Sequence, residues 1–170
     1  MKGKVLVAGI GNIFLGDDAF GVEVVNRLTQ LSMPGHVCVA DFGTRSFDLA
    51  YALMEDWELV ILVNALPRGG EPGTLYSFEP ELPKRDEPAS LDAHTMDLHT
   101  IDPVAVLRLV KALGGEVGHM LVVGCEPASV EPDADGNISL SKPVNTAIDE
   151  AVRMIEELTS HNRSSKATAA

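Results

Sequence analysis

Apolar residues in this chain gather into short runs, separated by segments whose apolar positions recur at helical spacing. Val5-Leu6-Val7-Ala8 is the first run, rich in β-branched residues, and predicts a parallel strand buried on both faces. A loop with Gly9, Gly11 and Gly16 follows, then Phe20, Val24, Leu28 and Leu31 mark a helix closed by Met33-Pro34-Gly35. Val37-Cys38-Val39-Ala40 predicts a second strand, Asp41-Phe42-Gly43-Thr44 a loop at its end, and Leu49, Ala50 and Leu53 a second helix. Leu59-Val60-Ile61-Leu62-Val63 is the most apolar run, the candidate central strand, and it ends at Asn64.

The second half continues the alternation with one change of direction. After the turn-rich Pro67-Arg68-Gly69-Gly70-Glu71-Pro72-Gly73, the stretch Thr74 to Phe78 alternates like an edge strand, so a mixed sheet is expected. Glu79 to Ala89 reads as a solvated loop. Asp102 is placed to cap a helix with Pro103 in its first turn, continued by Val106, Leu107 and Val110 to Gly114. Met120-Leu121-Val122-Val123-Gly124 is the last strand, and Val144, Ala147, Ile148, Ala151, Ile155 and Leu158 make an amphipathic terminal helix. The pattern predicts one three-layer α/β/α domain over residues 1–159, with a mostly parallel five-stranded mixed sheet and helices on both faces. Residues 160–170 are expected to form a flexible tail.

Composition narrows the partners. With 170 residues, a net charge of −12 and a pI near 4.7, the chain is poorly suited to nucleic acid or an anionic membrane surface, both of which need a basic patch. A protein or small-molecule partner is expected. Cys38 and Cys125 lie in apolar runs without CxxC spacing and read as buried, reduced thiols. No apolar run approaches the length of a signal sequence or a membrane span, so a cytoplasmic protein is expected.

Candidate chemistry concentrates in the first loop, Gly9-Ile10-Gly11-Asn12-Ile13-Phe14-Leu15-Gly16-Asp17-Asp18-Ala19-Phe20-Gly21. It leaves a strand's carboxyl end, where open α/β sheets meet their ligands. A dinucleotide fingerprint is disfavoured, because Phe14 stands where the third glycine should be. Asp17 reads as the cap of the following helix; Asp18 reads either as a first-turn acid favoured by the helix dipole or as a functional carboxylate. Neither a G-x-S-x-G elbow nor an H-E-x-x-H helix is present, so serine-type and zincin chemistry are disfavoured.

This loop resembles the amino-terminal signature of the hydrogenase maturation proteases, the endopeptidases that trim the carboxyl-terminal extension from the large subunit of nickel-iron hydrogenases. That signature reads approximately G-x-G-N-x-x-x-x-D-[DE]-x-x-G, and Gly9, Gly11, Asn12, Asp17, Asp18 and Gly21 meet its fixed positions. The resemblance runs from about Lys4 to Leu158, through Val63-Asn64-Ala65, Pro72-Gly73-Thr74, a histidine before a helix, and Val123-Gly124-Cys125-Glu126-Pro127. It implies a monomeric aspartic or metal-dependent endopeptidase. Its partner would be a hydrogenase large-subunit precursor, and its cofactor nickel, supplied by or shared with that precursor.

The resemblance also implies a metal-binding trio of an acid from the first loop, an acid ending the central strand, and a histidine. In this chain these are Asp18, Asn64 and His99, with His94 as the alternate, because HTMDL is followed by the near copy HTIDP. His99 stands at the family's spacing from the helix start. Asn64 departs from the family's aspartate, and an amide oxygen can coordinate but neither brings charge nor acts as a base. Either the protein works with a weakened site or it is an impaired variant. Asp18 or Asp41 is the candidate base; His36, His119 and His161 have no acid motif nearby and read as ordinary surface or core residues. The alternative function is a non-catalytic binding module of the same fold, recognising a metal-loaded partner, with cleavage lost through Asn64.

Overall fold

The computed structural model describes residues 3–81, 102–131, 136 and 138–164. Strands β1 (Val5–Ile10), β2 (Val37–Gly43), β3 (Leu59–Ala65), β4 (Leu75–Phe78) and β5 (Met120–Cys125) form one sheet in the order β2-β1-β3-β5-β4. All neighbours run parallel except β4, which pairs antiparallel with β5, as its alternating pattern anticipates. The most apolar run, β3, is the middle strand and is buried along its whole length.

Helices α1 (Phe20–Thr29) and α4 (Lys142–Ser164) cover one face; α2 (Ser46–Leu53) and α3 (Pro103–Ala112) cover the other. Strand alternation sorts the core accordingly. Val5, Val7, Ile61, Val63 and Val123 pack against α1 and α4, while Leu6, Ala8, Val60, Leu62 and Val122 pack against α2 and α3. This is the expected three-layer α/β domain. The Asp102 carboxylate accepts the Val104 N–H at 3.1 Å, and Pro103 opens α3.

Three local expectations change. Helix α1 stops at Thr29, leaving Leu31 exposed beyond it. Helix α4 continues to Ser164, past the expected start of the tail at Ser160, whose hydroxyl donates back to the Glu156 carbonyl at 2.7 Å and so remains compatible with a helix. Cys125 is buried as expected, but Cys38 is exposed, because β2 is an edge strand and is only half-buried or exposed along its length. The 79–89 loop lies largely outside the described residues. Among the described residues no helix is long and apolar enough to cross a membrane.

Candidate functional site

The signature glycines are required by close approach of backbone to backbone. A Cβ on Gly21 would strike the carbonyls of Val63 and Ile10, and one on Gly9 would strike the Gly21 carbonyl and the Val25 side chain. Gly11, at φ +139°, lies so close to the Asp18 carbonyl that no side chain fits. Because nothing larger intervenes, the first turn of α1 rests on the carboxyl ends of β1 and β3. The short 3-10 turn Gly16–Ala19 therefore packs against β3, the strand that carries Asn64.

Asp17 does not cap α1. The residue in the cap position is Ala19, with no side-chain hydrogen bond, and the Asp17 carboxylate is engaged by backbone far along the chain. Its Oδ2 accepts the N–H groups of Ala128 at 2.8 Å and Ser129 at 3.3 Å, and its Oδ1 accepts the Ser141 N–H at 2.6 Å. The side chain is buried, 1% exposed. Both oxygens are committed to backbone donors, so Asp17 ties the first loop to the segment after β5 and to the entry of α4. Three of its roughly four lone-pair sites are taken by backbone donors, which leaves it less free than Asp18 to hold an ion.

Asp18 is nearly as buried, at 3%, but differently provided for. Its Oδ2 accepts the Asn12 N–H at 2.7 Å. Burial pushes its carboxyl above the usual aspartate range, and the Asn12 hydrogen bond pulls in the opposite direction. With one donor among the described residues, this buried carboxylate keeps coordinating and proton-accepting capacity. Asn12 serves twice, because its Oδ1 also accepts the Phe14 N–H at 2.9 Å, closing an Asx turn that turns Ile13 and Phe14 outward. Sequence reasoning gave Asn12 no role beyond the motif.

Asn64 is buried near the carboxyl end of β3, opposite Gly124 of β5 in register. Strand alternation sets it on the face of Val60 and Leu62. Asp41 is exposed near the end of β2, on the wall of an open depression of about 510 Å³ between the loops that follow β1 and β2, which Asn12, Phe14, Phe42 and Arg45 also line. The Arg45 guanidinium donates to the backbone carbonyls of Asp41 and Phe42 and so closes that end of the loop. Asp18, Asn64 and Asp41 thus occupy the carboxyl edge of the sheet, while His94 and His99 lie outside the described residues. Among the described residues, no three His, Cys, Asp or Glu side chains cluster as metal ligands would.

Another buried carboxylate on this edge, Glu126, was noted in the sequence only as part of the Gly-x-Glu-Pro segment. Glu126 accepts the Arg68 N–H at 3.0 and 2.9 Å, the Gly69 N–H at 3.0 Å and the Tyr76 hydroxyl at 2.8 Å. Burial alone would raise its carboxyl, but the hydrogen bonds from Arg68, Tyr76, Gly69 and Gly70 hold it below the usual range. Its backbone also pairs with the Gly73 N–H and the Thr74 carbonyl, each at 2.8 Å. Glu126 therefore fixes the loop that leaves β3 just beyond Asn64. The guanidinium of Arg68 lies 4.5 Å from the Phe78 ring centre and covers the β4 edge.

A family profile described as "Hydrogenase maturation protease" matches residues 22–158. The chain is 33% identical over 159 residues to a putative hydrogenase maturation protease of Methanocaldococcus jannaschii, covering 91% of this chain and 95% of that one. Among solved structures, the hydrogenase 2 maturation peptidase of a Thaumarchaeota archaeon superposes with a TM-score of 0.67 at 33% identity, over 92% of this chain and 98% of that one. The Escherichia coli hydrogenase maturating endopeptidase superposes with a TM-score of 0.68 at 28% identity, over 89% of each chain. Together with a mixed five-stranded sheet and a glycine-bearing first loop that presents two buried acids at its edge, these similarities establish that the chain belongs to the hydrogenase maturation protease family.

Proposed function

We propose that the protein is an endopeptidase that removes the carboxyl-terminal extension of a nickel-iron hydrogenase large-subunit precursor after nickel has been inserted. The observation that carries this reading is the division of labour between adjacent buried acids. Asp17 is held by three backbone donors, whereas Asp18 has a raised carboxyl and, among the described residues, one donor, the Asn12 N–H. Nickel belongs to the substrate here. The set Asp18, Asn64 and His99, or His94 in its place, offers carboxylate, amide and imidazole donors suited to a borderline divalent ion that still holds open positions.

In this reading Asp18 orients the metal-bearing end of the precursor, and its buried charge favours contact with a cation. Asn64 adds a neutral oxygen, so it orients without strengthening the electrostatic attraction. Asp41 faces the open depression and takes a proton from the water whose oxygen attacks the scissile carbonyl carbon; the C–N bond then breaks and the proton passes to the leaving amine. The catalytic type is thus a carboxylate-assisted hydrolysis acting on a metal-loaded substrate.

Incubation with a nickel-loaded precursor, followed by mass measurement of its carboxyl terminus, tests the proposal. Loss of one discrete carboxyl-terminal peptide is the expected result. Stable binding of the loaded precursor with no mass change would refute the endopeptidase reading and favour the binding module, since Asn64 cannot supply the charge or the base of an aspartate.

A further inference from the structure

The described residues expose a line of large apolar side chains that the cleavage chemistry does not use. Ile13 and Phe14 stand out from the Asx turn, Phe14 being 63% exposed. The depression separates their loop from Thr44 and Arg45, and two residues beyond Arg45 comes Phe47 in the first turn of α2. Phe47, Tyr51 and Met54 then follow at helical spacing along the outer side of α2 and its cap, 53%, 59% and 37% exposed. They extend the apolar line by about 10 Å along the helix, well beyond what a single bond to be cleaved requires. Exposed aromatics so grouped usually mark a contact with another macromolecule.

The charges around this line are mainly negative, with Lys4 beside Glu55 and Asp56 and Arg45 beside Asp48 as the cations near it. Asp41, Asp48, Glu55 and Asp56 are all exposed beside it, and the chain as a whole carries −12. Arg45 lies among them and keeps its charge, its guanidinium donating to the Asp41 and Phe42 carbonyls with Asp48 at 4.0 Å, so the acids outnumber it. An apolar strip rimmed by carboxylates fits an apolar surface rimmed by lysine and arginine.

Building on the proteolytic reading above, we propose that the Ile13–Phe14 turn and the Phe47-Tyr51-Met54 face of α2 dock the folded body of the precursor, not its cleavable tail. The body rests on α2 and on the outer side of the Ile13–Phe14 turn, and the tail enters the depression along its Asp41 wall. Recognition of the folded body would explain how cleavage waits for a precursor that is already assembled around its metal.

The test compares Tyr51→Ser and Phe14→Ser with the parent in steady-state processing of nickel-loaded precursor, with Leu31→Ser as an exposed apolar control outside the strip. Circular dichroism and urea midpoints establish that each variant folds. The expected result is a rise in KM of about tenfold for each strip variant, carried mainly by KM and not kcat, with Leu31→Ser unchanged. Added salt should raise the parent KM, and Asp48→Lys should do the same. Parent kinetics that Tyr51→Ser and Phe14→Ser leave unaltered would overturn the docking surface while leaving the protease reading intact; a parent that fails to cleave would count against the protease reading itself. A synthetic tail peptide whose competition is weakened by Tyr51→Ser would assign the strip to the tail and overturn the proposal. So would a dimer in sedimentation that Tyr51→Ser dissociates.

Discussion

Asp17 and Asp18 are neighbours with similar burial, yet the structure requires opposite consequences from neutralising them. Replacing Asp17 by alanine leaves the N–H groups of Ala128, Ser129 and Ser141 without their acceptor in a site that is 1% exposed to water. Hydrogen bonds to a charged acceptor contribute about 1.5–3 kcal/mol each. Counting only the two short ones, at 2.8 and 2.6 Å, Asp17→Ala should cost about 3–6 kcal/mol, against a typical domain stability of about 5–15 kcal/mol. Asp17→Asn keeps one oxygen but turns an amide N–H₂ toward a donor, so it should cost about half as much. Asp18→Asn keeps an acceptor for the Asn12 N–H and removes a charge that burial disfavours; it should leave stability equal or higher while abolishing processing. Urea unfolding followed by circular dichroism reads the difference, with the Asp17→Ala midpoint falling by about 2 M at an ordinary dependence on urea. An Asp17→Ala variant within about 1 kcal/mol of the parent would refute the reasoning. So would an Asp18→Asn variant as unstable as Asp17→Ala.

The same geometry fixes four further outcomes. Glu126 is held below its ordinary value of 4.5, so its contribution to stability is present above that value and lost as pH falls through the folded one; in Glu126→Gln the acid side of a stability-against-pH curve should flatten. Asp18 has the opposite sign, its contribution being complete below 3.8 and lost as pH rises through its raised folded value, and Asp18→Asn should remove that loss in the same curve. Asn64→Asp should raise both nickel affinity by calorimetry and turnover in the processing assay, with stability unchanged or lower because two acids then share the strand ends; unchanged affinity would mean that charge at residue 64 is dispensable. For the thiols, iodoacetamide should alkylate Cys38 alone in the native protein and both cysteines in denaturant, because Cys125 is buried and its thiol is pushed up to about 12; two fast-reacting native thiols would contradict this.

Much of the architecture was legible because it depends on local pattern. The most apolar run, Leu59 to Val63, was the candidate central strand and is one, and the alternation of Thr74 to Phe78 marked an edge strand in a mixed sheet, which is where β4 pairs antiparallel with β5. Cys38 shows where such reading fails. An apolar run states that a strand is buried on average, but burial of one position depends on whether the strand is central or lateral, which the order β2-β1-β3-β5-β4 decides and no local pattern records.

The candidate site was legible in its residue types and illegible in its division of roles, for a related reason. From the sequence, Asp17 was the helix cap and Asp18 the ambiguous acid, since capping is judged from the next few residues. The donors that claim Asp17 come from 111, 112 and 124 positions further along the chain, in the segment after β5 and at the mouth of α4. Those groups are backbone N–H, so no side-chain identity announces them. Glu126 was overlooked on the same grounds, because its partners Arg68 and Gly69 contribute main-chain donors at separations of 58 and 57. With Asp17 and Glu126 engaged in this way, the buried Asp18 has the fewest backbone donors of the three among the described residues. A pair of adjacent acids in a loop should therefore be assigned by asking which one the distant backbone consumes, because that one supports the loop and leaves its neighbour for chemistry.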